Sequence, residues 1–400
     1  MKRFFRLLHL WLALPFGLIV AVICFSGAML VFKQELTSLM QSSVTKVEPR
    51  PDGILPISAL LDSVKSQLPD SLNIIGLEIS SDPDEAWELS FSNAREHFYV
   101  DPYSGAVTGR GGRVQFFMFM TKQHRYLLLD DLGRRITGVS TLMFVLVLIS
   151  GVVVWWPRNR QAFVSSLKFR ANGLRPLLHS LHVAGGMYVV VCLLAMALTG
   201  LTWSFEWYRN GVYSLCGVDE SQMQFASGHD ENFHQAKAQQ LEAQGSNPSH
   251  VSSGDAPSQE SHGGHGHSHA GRGGRGRHGG FVIPQAWDAF YQTLSDKYSP
   301  DDFRSISLSP DMATVLLSGF GDQRATDTYS FNHRTGDVSS VDLYADTDKV
   351  MKVRGWIYTI HTGAWGGLVT RILAFLCALF GASLPLTGYY LWFKRISKSK

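Results

Sequence analysis

The stretch "LHSLHVAGGMYVVVCLLAMALTG", residues 178–200, reads as a membrane-crossing helix that carries two histidines, His179 and His182, in its first turns, with Gly185 and Gly186 just behind them. A bilayer crossing takes roughly 20 predominantly apolar residues. The apolar run here spans 183–205, and three others of that length follow the same pattern, at 7–32, 136–156 and 372–393. The 400-residue chain is 45% hydrophobic, yet its mean hydropathy is +0.01, because polar segments separate the four runs. The expected fold class is therefore membrane α-helical, with four transmembrane helices and extramembrane domains.

Net charge is +3, too small to suggest a nucleic-acid partner. The basic residues are unevenly placed. Lys2, Arg3 and Arg6 precede the first run; Arg158, Arg160, Lys168, Arg170 and Arg175 fill the short loop after the second; Lys394, Arg395, Lys398 and Lys400 follow the fourth. The positive-inside rule assigns all three regions, and both termini, to the cytoplasm. The long segments 34–133 and 207–370 then face outward, into the periplasm of a bacterial inner-membrane protein. The first apolar run exceeds the 7–15 residues of a signal-peptide core, so it is expected to be retained. Of the four cysteines, Cys24, Cys192 and Cys377 lie in the spans and Cys216 outside, which gives no disulfide framework.

The chain repeats itself. At one offset His9 falls on His182, Ser26-Gly27 on Thr199-Gly200 and Phe32 on Phe205. At a second, larger offset His124 falls on His361, Arg134 on Arg371, Ser150-Gly151 on Thr387-Gly388 and Trp155 on Trp392. Such matches read as a duplicated unit of two spans, each half entering and leaving the membrane the same way. Because the second offset is the larger, the second external segment must hold an insertion. Residues 217–280, with "HGGHGHSHAGRGGRGRHGG", match the difference in length, and their composition predicts disorder.

The remaining external sequence predicts one small α+β domain per half. Residues 57–68 have helical apolar spacing and are followed by strand-like segments at 71–80, 86–92 and 96–109. The second half repeats this with a helix at 283–298 and strands at 303–309, 313–319 and 328–341. The turns "DPYSG" and "NHRTG" place Gly105 and Gly336 at permissive positions. The expected organisation is thus span 1 at 1–33, external domain 1 with a juxtamembrane segment at 34–133, and span 2 at 134–157. A cytoplasmic loop follows at 158–176, then span 3 at 177–206 and the His/Gly-rich insertion at 207–280. External domain 2 with its juxtamembrane segment occupies 281–370, span 4 371–393 and the tail 394–400.

Helix-plus-sheet units ending in "YVDPYSGAV" and "SFNHRTGDV" resemble PepSY domains. The span signatures "HLWLALPFG", "HRYLLLDDLGRRITG", "LHVAGG" and "IHTGAWGGLVTRI" complete a resemblance to the PepSY-associated transmembrane family, over nearly the whole chain outside 217–280. That family includes iron-regulated inner-membrane proteins and ferric-siderophore reductases with b-type haem. The resemblance implies ferric-siderophore reduction at the periplasmic face.

The 15 histidines sort into groups. Five border the spans: His9, His124, His179, His182 and His361. An edge histidine is ordinarily an interfacial residue, but an ionisable residue in a span is a functional candidate whose partner must be named. The duplication names the partners. His9 and His182 occupy equivalent places near one face, His124 and His361 near the other, and two such pairs suit two haems held by imidazoles from facing helices. His124 and His361 precede their apolar runs by about one helical stretch, so a juxtamembrane helix, with Leu127–129 at the interface, is needed to bring them back. His179 has no counterpart and is expected to be a solvated neighbour, with an alternative-ligand or propionate role left open. Arg134 and Arg371 are candidates for propionate or anion contact, balanced against ordinary snorkelling. Gly17, Gly185, Gly186, Gly363, Gly366 and Gly367 are read as allowing close approach of a macrocycle or of a neighbouring helix. Eight histidines lie in 217–280, and His262, His265, His267 and His269 make a weak transition-metal site there.

The sequence has no G-x-G-x-x-G after a strand, no Walker A motif and no H-E-x-x-H helix. Electrons are therefore expected from a separate donor, quinol or a cytoplasmic reductase. The leading expectation is an oxidoreductase with two bis-histidine b haems passing electrons to a ferric-siderophore or other periplasmic acceptor. A non-enzymatic PepSY sensor or assembly factor, and a haem or metal transporter, stand as alternatives.

Overall fold

In the computed structural model, which describes residues 1–69, 71–92, 97–112, 114–219, 221–223, 284–332 and 335–397, four helices are long and apolar enough to cross a membrane. They are α1 (Lys2–Val31), α6 (Asp130–Trp155), the segment Leu174–Ser204 and the segment Ala364–Ile396. The third is built from α8 (Leu174–Ser180), a π-helical turn (Leu181–Gly185) and α9 (Gly186–Ser204). The fourth is a 3₁₀ turn (Ala364–Gly366) followed by α13 (Gly367–Ile396). Most of these helices run past the apolar cores seen in the sequence. Lysine and arginine continue a helix readily and carry their charge away from the apolar layer on flexible stems.

α1 packs between α6 and α13, and α9 packs between the same two helices, so α1 and α9 face each other across a four-helix bundle. Val20, Phe144, Val145, Leu148, Leu193, Ala197 and Leu201 fill its interior. Its outside is apolar too: Trp11, Leu18, Val191 and Val369 are 61–77% exposed. Water would penalise such a surface, whereas lipid accepts it.

α1 and α13 approach closely at Gly17, where an added Cβ would lie 2.8 Å from the Tyr389 hydroxyl and 3.2 Å from Pro385 Cβ. The Leu18 amide donates to Tyr389 Oη (3.1 Å), and that hydroxyl donates to Leu14 carbonyl (2.7 Å). A regular helix would join Leu18 N–H to Leu14 C=O directly. Tyr389 is thus inserted into the hydrogen-bond ladder of α1, three residues after Pro15, which cannot donate to it.

Short helices α2 (Lys33–Met40) and α3 (Ser42–Thr45) lead from α1 into the external domain. There α4 (Ile57–Gln67) precedes β1 (Ile74–Ser80), β2 (Trp87–Phe91), β3 (His97–Val100) and β4 (Val107–Gly111). The second half supplies α11 (Pro284–Ser295), β5 (Phe303–Ser309), β6 (Met312–Leu317), β7 (Thr326–Phe331) and β8 (Val338–Asp342). Each half has the expected helix and strands, but the two units do not stay apart. β1 pairs with β5 antiparallel, Leu77 opposite Leu308 and Ile79 opposite Ile306, giving one eight-stranded sheet in the order β4-β3-β2-β1-β5-β6-β7-β8. α4 and α11 lie together on it, the Ser58 amide donating to Asp288 Oδ1 at 3.1 Å.

Strands β2, β3, β6 and β7 alternate, as β2 does with Trp87, Leu89 and Phe91 buried and Glu88 and Ser90 turned away. A single core results, holding Leu60, Val64, Trp87, Trp287, Phe290 and Ile306 from both halves. Fully burying one such large side chain contributes roughly 1.5–3 kcal/mol. The seam between halves is therefore as apolar as either half's own interior.

Two further helices join the sheet to the long apolar helices. α5 (Gln115–Tyr126) follows β4 and turns sharply into α6 through Leu127, Leu128 and Asp130, all with positive φ (48°, 62° and 47°). α12 (Lys349–Thr362) follows β8 and turns into α13 through Gly363 and Gly367 (φ 72° and 69°). The second half thus uses glycine, which adopts this conformation freely, where the first half forces leucine and aspartate into it. Between α6 and α8 lies α7 (Arg160–Ser166), and α10 (Glu206–Leu215) follows α9.

Candidate functional site

All four paired histidines point into the bundle and meet as the repeat requires. The rings of His9 on α1 and His182 in the π turn have centroids 6.3 Å apart, at the end of the bundle carrying the termini. The rings of His124 on α5 and His361 on α12 have centroids 6.0 Å apart, at the end carrying the sheet. Ile23, which lies beside His124, stands about four helical turns after His9 on α1, so the two levels are separated by about 21 Å of helix.

Each ring is held in the same way by a neighbouring helix. His9 Nδ1 lies 3.0 Å from Val147 carbonyl and 3.2 Å from Ser150 Oγ, with Gly151 next in sequence. His182 Nδ1 lies 3.1 Å from Leu384 carbonyl and 3.0 Å from Thr387 Oγ1, followed by Gly388. His124 Nδ1 lies 2.9 Å from Ile23 carbonyl and 3.5 Å from Ser26 Oγ, followed by Gly27. His361 Nδ1 lies 2.9 Å from Met196 carbonyl and 3.2 Å from Thr199 Oγ1, followed by Gly200. The bracing set is a carbonyl, a hydroxyl three residues later and a glycine four residues later, which share one helix face.

The glycines are needed because the imidazoles lie against the backbone. A Cβ added at Gly27, Gly200, Gly388 or Gly151 would come within 2.8, 3.2, 3.2 or 3.3 Å of the Cε1 of His124, His361, His182 or His9. The hydroxyls donate their own proton to a helix carbonyl, as Ser150 does to Val147 (2.9 Å) and Thr387 to Leu384 (2.9 Å). Both partners of Nδ1 therefore accept. The proton must sit on Nδ1, which leaves the Nε2 lone pair of each ring available. This is the arrangement by which proteins orient a metal-binding imidazole. Burial pulls His124 and His361 below the ordinary imidazole pKa, His361 to about 4, so both are neutral near pH 7.

His182 reaches its partner through local distortion. The π turn Leu181–Gly185 inserts a wider coil at that residue, a feature often found where a helix presents a functional side chain. Gly185 and Gly186 let this turn lie against Phe380 and Leu384 of α13, which delivers the Leu384 carbonyl to His182.

The other expected site residues are not drawn in. His179 is exposed at the end of α8. Arg134 is exposed in the first turns of α6. Arg371 clamps Glu35 of α2 with both terminal nitrogens, donates to Val31 carbonyl at 2.6 Å and lies 5.1 Å from the Phe32 ring centroid. It ties the end of α1 to the start of α13. His262, His265, His267 and His269, with His333 and the whole 224–283 stretch, lie outside the described residues.

The glycines singled out in the sequence serve helix packing and turns and do not themselves lie against an imidazole. Gly17, Gly185 and Gly186 face Tyr389, Phe380 and Leu384, while Gly363 and Gly366 make room for Ala374 and Thr370 at the α12–α13 turn. The glycines against the imidazoles are those of the repeated Ser/Thr-Gly pairs. Their signal is present in the sequence as a match between halves, without any indication that a histidine lies on top.

Each level supplies two imidazoles, and no group of three or more His, Cys, Asp or Glu suited to a metal occurs among the described residues. A bare zinc-type ion asks for three or four protein ligands. A two-imidazole set suits an iron whose remaining bonds come from a macrocycle. The spacing fits as well: two metal–nitrogen bonds of about 2.0 Å, with roughly 1.1 Å from each nitrogen to its ring centre, put the centroids about 6 Å apart.

No curated protein matches the chain. A family described as the PepSY-associated TM region matches residues 6–395, almost the entire sequence. Its span covers both histidine levels, all four membrane-crossing helices and both halves of the sheet, and the chain belongs to this PepSY-associated transmembrane family.

Proposed function

We propose that this protein holds haem b at both histidine levels and passes electrons across a bacterial inner membrane to an acceptor on the sheet-domain side. The observation that carries this reading is the pairing itself: two facing imidazoles per level, each with Nδ1 occupied and Nε2 free. His9 and His182 would hold one group, His124 and His361 the other. Bound haem supplies reversible one-electron chemistry at its iron. The protein's contribution is to fix each imidazole as the Nδ1–H tautomer, keep it neutral and surround it with apolar side chains.

The direction follows from charge. By the positive-inside rule, Lys2, Arg3, Arg6 and the arginines of the α6–α8 loop favour a cytoplasmic His9–His182 end and a periplasmic sheet domain. Electrons would come from quinol or a separate cytoplasmic reductase, since the sequence carries no dinucleotide-binding motif. A ferric-siderophore is the acceptor the family resemblance favours. Hard oxygen chelators hold Fe(II) far less tightly than Fe(III), so reduction frees the metal.

The test is an absorption spectrum of the purified full chain with a pyridine haemochrome count. Two haems per chain, with a Soret band that shifts on dithionite, are expected. Protein that shows no such band after haem supplementation would refute the reading and favour a haem-free sensor.

A further inference from the structure

The connection between β6 and β7, residues 318–325, reads SGFGDQRA. Its single aromatic side chain, Phe320, is 78% exposed. Gly319 and Gly321 flank it with φ of 130° and 109°, a region that favours glycine. The Gly321 amide donates to Trp365 carbonyl at 3.0 Å, and the Phe320 ring meets the Trp365 ring edge-on with centroids 5.8 Å apart. Trp365 lies in the 3₁₀ turn that opens the fourth membrane-crossing segment. A loop of the sheet domain is thus fastened to the start of a membrane helix.

The apolar surface of that helix continues onto the loop. Leu368 and Val369, in the first turn of α13, are exposed, as are Ile372 and Leu373 beyond them. α12 adds exposed Trp356 and Ile360, four residues apart on one face, and Trp356 lies against Gly321. The charged side chains of the loop turn towards α12 instead. Asp322 accepts from the Tyr344 hydroxyl at 2.8 Å and lies over Gly355, and Arg324 stacks 3.7 Å from the Tyr358 ring centroid. Aromatic side chains gather where a membrane meets water, because their rings suit the boundary between headgroups and acyl chains.

The two halves reach the membrane edge by different means. Under the offset that pairs His124 with His361, Leu127, Leu128 and Leu129 fall on Ala364, Trp365 and Gly366. The first half carries exposed Leu128 and Leu129 on its own turn, and its β2–β3 connection, residues 92–96, reads SNARE, with no aromatic residue. The second half has glycine in place of the second leucine, and Phe320 from the sheet loop adds apolar bulk beside Trp365. The same loop grips the helix of the sheet-end site: the Gln323 amide donates to Thr359 Oγ1 at 3.0 Å, and buried Thr359 stands two residues before His361.

We propose that the Phe320 loop is a bilayer anchor. Phe320 and Trp365 sit together at the boundary of headgroups and acyl chains, in the leaflet on the sheet-domain side, so that the second half of the sheet domain rests on lipid. The anchor needs no haem, and its failure would leave the function proposed above untouched.

The test uses the full-length protein in phosphatidylcholine nanodiscs. A fluorophore is attached at Phe320→Cys in a Cys216→Ser background, with Cys216→Ser alone measuring stray labelling. Phosphatidylcholine bearing a nitroxide near the top of its acyl chain should quench the label, and aqueous iodide should not. Iodide quenching as strong as in the denatured protein would place Phe320 in water and overturn the proposal. Shielding from both quenchers would place it against protein, such as a second copy of the chain, and also overturn it. Hydrogen exchange on unlabelled protein guards against an anchor made by the fluorophore. In nanodiscs, Phe320→Ser should speed exchange across 319–321, and Phe320→Trp should keep the parent's rate. Equal exchange by the parent and Phe320→Ser would overturn the anchor.

Discussion

His9 and His182, equivalent positions of the two halves, face each other across the bundle with ring centroids 6.3 Å apart and planes at 86°. α6 braces His9 and α13 braces His182, whereas α1 braces His124 and α9 braces His361. The two levels of the site are therefore independently supported. On the function proposed above, replacing His182 with Ala should lower the haem count from two to one per chain and leave the sheet-end spectrum intact. His9→Ala should do the same, and His179→Ala should leave both haems in place. Pyridine haemochrome assay of the purified variants measures this directly.

The four bracing glycines should not respond equally to alanine. At Gly27 the new Cβ meets His124 at 2.8 Å, a distance that forces the ring to move, whereas at Gly151 it meets His9 at 3.3 Å. Overpacking of this kind costs about 1–3 kcal/mol. Gly27→Ala should lower the melting temperature in detergent more than Gly151→Ala and, on the function proposed above, shift the electron paramagnetic resonance signal of the haem at that level. The reverse order would contradict the bracing geometry.

The Glu35–Arg371 clamp predicts a pH dependence with a definite sign. Burial alone would raise the Glu35 pKa, but the hydrogen bonds and charge of Arg371 outweigh it and the folded value is lowered. A lowered carboxyl pKa stabilises the fold above the unfolded value, about 4.3 for glutamate, and that contribution disappears as pH falls through the folded one. Melting temperatures between pH 3 and pH 6 should therefore rise more steeply for the parent than for Glu35→Gln. Identical profiles would show that the clamp is silent.

One sheet shared by both halves should unfold as one unit. Ser307 on β5 pairs with Glu78 on β1 and with Thr314 on β6. Proline there removes a ladder donor from a central strand, where it is not tolerated. Ser307→Pro should expose Trp87 and Trp287 together at lower denaturant, with Ser307→Ala close to the parent. Loss of the second half alone would mean that the seam is not a folding interface.

Much of this architecture is legible in the sequence because its signals are local or periodic. The spans follow from uninterrupted apolar runs, the strands from alternation, and the partner of each histidine from the two offsets. What the sequence hides depends on who lies opposite whom. β1 and β5 carry the same alternating pattern as the other strands, so nothing in them says that they pair. The π turn at His182 has no composition of its own. Arg371 reads in the sequence equally as a propionate or anion contact and as a snorkelling residue, whereas α2 supplies Glu35 to it after a turn that residue pattern does not fix.

The joined sheet also acts as a beam. α5 hangs from β4 at one margin and α12 from β8 at the other, so His124 and His361 are suspended from opposite edges of a single plate. Rocking the whole plate carries both rings together and preserves their 6.0 Å separation. Twisting it moves them in opposite senses. A twist applied at one margin would thus act on the gap between the His124 and His361 rings at the far side of the domain.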